Sequence, residues 1–129
     1  MEIYFFTRSG RSKQIAEELA YRYGVTAKRI DDGKNWKGPI GFLKAGYMSS
    51  TGKSLAASYE RPAEGETVAL VFPLWANQLP PAVKTFAEEV GRERIISIPT
   101  SMGSTLTDRD GFIKVIDLVG KVISPPAEL

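Results

Sequence analysis

Three short stretches combine hydroxyl, glycine, aromatic and proline residues in spacings that suit ligand binding. The first is Thr7-Arg8-Ser9-Gly10-Arg11-Ser12, which follows the apolar run Ile3 to Phe6 and precedes a helical pattern. The first amides of a helix have no intrahelical partner and carry partial positive charge, so this place favours an anion such as phosphate. Gly10 lets the backbone approach closely, the hydroxyls of Thr7, Ser9 and Ser12 can donate, and Arg8 and Arg11 add full charges. The second stretch, Pro73-Leu74-Trp75-Ala76-Asn77-Gln78, ends an apolar strand and offers an aromatic side chain to a planar ring. The third, Ser101-Met102-Gly103 within Pro99 to Ser104, is a small-residue turn able to present backbone amides.

Composition removes other chemistries. The 129 residues contain no cysteine and no histidine. Disulfides, thiolate metal sites, cysteine nucleophiles and imidazole bases are therefore excluded. No convergent carboxylate pair stands out, so no catalytic side chain and no metal site are expected. The formal net charge of +2, with basic and acidic residues interspersed, gives no case for nucleic acid. No run approaches the roughly 18 apolar residues of a membrane span, and the first six residues are too short for a secretory signal, so a cytoplasmic protein is expected. A length of 129 residues suits one domain spanning 1–129.

The elements that must position these stretches follow from periodicity. A buried strand precedes Thr7. Apolar positions Ile15, Ala16, Leu19, Ala20 and Tyr23 define an amphipathic helix from Arg11, with Gly24 as its stop. Val25 to Ile30 reads as a second strand ending in the Asp31-Asp32-Gly33 turn. Trp36 to Met48 reads as a short or interrupted helix, and Thr51 to Arg61 as a loop with a little helix. Thr67 to Phe72 is a continuous apolar run, as in a parallel strand covered on both faces. Pro81 to Val90 forms a helix opened by proline and stopped by Gly91. Arg94 to Ile98 is a fourth strand. Thr107 with Asp110 reads as a capping box for a fourth helix carrying Phe112, Ile113, Val115, Ile116 and Val119, and Lys121 to Ser124 as a fifth strand.

At these residues the chain resembles the flavodoxin family, whose first loop has the form Ser/Thr-x-x-Gly-x-Thr before a helix carrying Ala, here Thr7 to Ser12 with Ala16. Pro73 to Phe86 is similar to the family's loop after the third strand, and Pro99 to Ser104 to its Thr-Ser-Gly-Gly-like turn. An acidic pair at Asp31-Asp32 also invites comparison with response-regulator receivers, but those keep the pair at the first strand, where this chain has Phe6 and Thr7. The resemblance implies a three-layer, doubly wound α/β fold with a five-stranded parallel sheet in the order 2-1-3-4-5, shortened at the carboxyl end.

It further implies FMN bound noncovalently: Thr7 to Ser12 on the phosphate, Pro73 to Gln78 on the isoalloxazine ring, and Ser101, Met102 and Gly103 on its pyrimidine edge. Ala76 and Asn77 stand where many relatives have a glycine. The expected function is electron transfer with a redox partner protein or a small quinone or flavin acceptor. An NAD(P)H-dependent quinone or flavin reductase is the alternative, and a flavin-free interaction module the third reading. Relatives continue with a fifth helix, so a homodimer or another segment is expected over the face it would cover.

Overall fold

The computed structural model describes residues 1–32 and 57–129. The interrupted helix expected at Trp36 to Met48 lies outside the described residues. Strand β1 (Glu2–Phe5) leads to helix α1 (Arg11–Tyr23) and the short β2 (Lys28–Arg29). After the second described stretch begins come β3 (Val68–Pro73), α2 (Pro81–Val90), a 3-10 turn (Arg92–Arg94), β4 (Ile95–Ser101), β5 (Lys114–Val115) and β6 (Leu118–Val119). The sheet is parallel in the order β2-β1-β3-β4-β5, with β6 also paired to β4. The chain order reverses between β1 and β3, which makes their carboxyl ends the switch point where doubly wound sheets bind ligands.

Strand alternation explains the layers. Ile3 and Phe5 of β1 face α1, packing with Ile15, Ala16, Leu19 and Ala20. Tyr4 and Phe6 face the other way, onto Ala82, Val83, Phe86 and Ala87 of α2. The β1 side chains thus meet a helix on either face, and a fully buried Phe86, with ring centroids 5.0 Å from Tyr4 and 4.7 Å from Tyr59, contributes about 1.5–3 kcal/mol by burial. Tyr4 donates its phenol to the Glu60 carbonyl, and burial pushes its pKa up to about 12. Helix α1 closes with Gly24 at φ 67° and a Val25 amide reaching back to the Ala20 carbonyl at 2.9 Å, the Schellman arrangement. Among the described residues no helix is long and apolar enough to cross a membrane.

The region after β4 departs from expectation. No helix follows Thr107; Leu106 to Gly111 is a loop, and the edge strand is made by 114–115 and 118–119, not by 121–124. Both pieces keep one register on β4, Ile96 opposite Lys114 and Thr100 opposite Leu118. The interruption has a cause in β4 itself. The carbonyls of Ile95, Ser97 and Ser101 accept from this edge, so Pro99, in phase with them, turns toward it a nitrogen that has no hydrogen. The capping box does not form because the Thr107 hydroxyl and amide both donate to the Asn77 carbonyl, at 3.0 and 3.1 Å. Gly111, at φ 86°, breaks the helical path, and a β-carbon there would meet Arg92 at 3.3 Å. Arg92 holds the loop by two 2.7 Å bonds to Asp108, and Arg109 reaches Asp117 at 2.8 Å.

Residues 120–129 then run along α1. Ile116, Leu118, Ile123 and Leu129 pack against its cluster, and Arg22 donates to the Pro126 carbonyl. These residues form a strap along α1.

Candidate functional site

The loop between β1 and α1 is shaped by its own residues. Thr7 Oγ1 accepts the Gly10 amide at 2.8 Å, and Gly10 takes φ 100°, a conformation in which a side chain is strained. A β-carbon on Gly10 would touch no protein atom, so the glycine serves backbone shape and leaves open space in front of the helix. No side chain caps α1 and its first turn holds no acid, so its leading amides face outward without an internal competitor.

The loop after β3 is a two-residue hairpin. Trp75 and Gln78 exchange both backbone bonds at 3.0 Å, while Ala76 and Asn77 sit at φ 53° and 63°. Two successive left-handed residues are the signature of a type I′ turn. Asparagine tolerates this; for alanine it costs about 1–2 kcal/mol. Thr107 clasps the Asn77 carbonyl, as described, and holds the turn from outside.

The three loops are tied together. Leu74 donates its amide to the Thr100 carbonyl at 3.0 Å, and the buried hydroxyls of Ser12 and Thr100 lie 3.0 Å apart. Thr100 Oγ1 is also 3.4 Å from the Phe72 carbonyl. In the third loop the Ser101 hydroxyl accepts the Ser104 amide at 2.9 Å.

Together they enclose a cavity of about 390 Å³. Arg8, Ser9, Arg11 and Ser12 line it from the first loop, Pro73, Leu74, Trp75, Ala76 and Asn77 from the second, and Ser101, Met102 and Gly103 from the third. Thr7, Gly10 and Gln78, also named from sequence, are not among the lining residues: Thr7 and Gly10 set the first loop and Gln78 closes the hairpin. Thr100 and Ser104 line the cavity without having been singled out. The available signal for Thr100 was a hydroxyl beside Ser101 at the carboxyl end of β4, next to the third loop.

Two side chains are placed differently from the sequence reading. Trp75 is only 3% exposed and sits edge-on to Phe6, with ring centroids 5.4 Å apart, so it is a core residue bordering the cavity and not an open platform. Ser12 is 1% exposed with its hydroxyl engaged by Thr100, which leaves Ser9, exposed at the surface, and the helix amides to face an anion.

Among the described residues, the charged ones lining the cavity are Arg8 and Arg11, with no carboxylate beside them. One end is therefore cationic and rich in amides, the other apolar at Pro73 and Leu74. A volume in the usual small-molecule range of about 300–1,000 Å³ fits a flat ligand with an anionic tail. This lining fits FMN in kind: a cationic helix N-terminus suits a phosphate and an apolar wall suits a ring.

No family model and no curated protein sequence matches the chain. Solved structures do. A flavoprotein crystallised in complex with FMN from Lactobacillus acidophilus NCFM aligns with a TM-score of 0.64 at 14% identity, covering 91% of this chain and 89% of that one. A candidate flavoprotein from Bacteroides uniformis ATCC 8492 aligns at 0.67 and 20% identity, covering 92% and 89%. With the observed strand order, these place the chain in the flavodoxin-like class of folds.

Proposed function

We propose that this protein binds FMN noncovalently in the switch-point cavity and serves in electron transfer. The observation that carries this is the convergence of three loops, from three neighbouring parallel strands, on one 390 Å³ space with a cationic, amide-lined end and an apolar end. The similarity in fold to a flavoprotein holding FMN supports the same reading.

The amides opening α1, with Ser9, Arg8 and Arg11, hold the phosphate. Pro73, Leu74 and the Ala76-Asn77 turn flank the ring, and the amides of Met102 and Gly103 meet its edge. Bound FMN supplies the oxidation and reduction; the chain supplies position and electrostatics. Electrons pass to a redox partner protein or to a small quinone or flavin.

Titration with FMN tests the binding: one equivalent is expected to saturate with a shift of the visible absorption bands. Steady-state NADPH oxidation by the loaded protein tests the role. A carrier turns over slowly without a reductase, whereas rapid turnover with a quinone assigns the protein to the reductases.

A further inference from the structure

We propose that Met102 is a reversible oxidation site through which peroxide weakens anion binding at the head of α1. Met102 is 63% exposed on the loop after β4 and lines the cavity. Its sulfur lies 3.2 Å from one Arg11 guanidinium nitrogen, and the other nitrogen donates to the Gly120 carbonyl at 2.6 Å. One cation therefore serves the cavity, the third loop and the strap. A thioether is a weak acceptor, so Arg11 loses little by turning from it toward an incoming phosphate.

Oxidation changes that balance. The sulfur lone pair attacks a peroxide oxygen, the S–O bond forms, the O–O bond breaks and the second oxygen leaves as water. Sulfur loses two electrons and the peroxide gains them, with no net proton change. The sulfoxide oxygen is a strong, dipolar acceptor against a guanidinium, and such charge-assisted bonds are about twice as strong as neutral ones. It competes for Arg11 with the anion and puts a polar group on a loop that borders the ring. The affinity consequence rests on the FMN reading above; the selectivity of oxidation does not.

The test treats the whole chain with hydrogen peroxide and follows Met102 and Met1 by peptide mass mapping. Met1 packs against the α1 cluster with its amine 3.4 Å from Glu66, so Met102 is expected to oxidise about fivefold faster or more, since susceptibility follows exposure. The FMN dissociation constant is expected to rise about tenfold on oxidation, equivalent to roughly 1.4 kcal/mol, and to return after methionine sulfoxide reductase. In Met102→Leu the constant, whatever its starting value, does not move with peroxide. Equal rates at Met102 and Met1 overturn the site, and an oxidised Met102 with unchanged FMN affinity overturns the coupling. If the untreated protein takes up no FMN, the functional reading and the coupling fall together, and mass mapping still decides the site.

Discussion

The two turns that face each other across the cavity reach left-handed backbone by different means. In the first, Gly10 adopts φ 100° with no β-carbon to strain, and Thr7 closes the turn from within the same six residues. In the second, Ala76 and Asn77 adopt φ 53° and 63°, and the turn is held by Thr107 from thirty residues away. One end of the crevice is thus written locally, and the other is imposed by tertiary contacts. The ring end should accordingly be the end whose geometry depends on distant residues, while the phosphate end should respond chiefly to substitutions in its own loop.

The largest effect that would break this contrast lies at Trp75. Buried to 3% exposure and packed on Phe6, it is expected to cost about 3–5 kcal/mol of folding stability as Trp75→Ala, read by urea denaturation. A variant that kept its stability and lost only FMN affinity would make the indole an exposed platform instead.

At the phosphate end, Gly10→Val is expected to weaken FMN binding by about 2–3 kcal/mol, since it strains the turn and fills the open space before α1. Arg8→Ala, at a half-buried arginine, is expected to cost under about 1 kcal/mol. Equal losses in the two titrations would mean that charge, not backbone shape, holds the phosphate.

Smaller effects sharpen the ring end. Thr107→Val removes one of the two bonds to the Asn77 carbonyl and should destabilise by about 1 kcal/mol, whereas Ala76→Gly should stabilise by a similar amount through relief of left-handed strain. If both variants left the denaturation midpoint unchanged, the hairpin would be neither strained nor held.

The smallest effect is pH-dependent. Two hydrogen bonds from Arg92 hold the Asp108 carboxyl below its ordinary value of 3.8. A lowered carboxylate contributes stability above its unfolded pKa and loses it as pH falls through the folded one. The stability difference between wild type and Asp108→Asn should therefore shrink as pH drops below 3.8, and for a pair partly open to solvent it should stay within about 1 kcal/mol at neutral pH.

The same division into local and tertiary control governs what the sequence discloses. Apolar runs marked β1 and β3, the isoleucines of Arg94 to Ile98 marked β4, and Gly24, Pro81 and Gly91 marked helix ends, because those signals lie within the element they define. The cavity loops were legible for the same reason, falling directly after those strands. The segment 107–124 was not. Its apolar residues at 112, 113, 115, 116 and 119 fit a helical period, but Thr107 is drawn to Asn77, Gly111 turns left-handed, and Pro99 on a neighbouring strand interrupts the edge ladder. The burial of Trp75 was hidden likewise, since its direction depends on a hairpin built from residues that do not ordinarily form one.

Flavin titration of the purified chain bears most directly on the claim that three loops make one cationic and apolar pocket. Stoichiometric uptake of FMN, with shifted visible bands and quenched tryptophan fluorescence in the wild type and much weaker uptake in Gly10→Val, is the predicted result. Unchanged spectra of both ligand and protein at saturating FMN would contradict it.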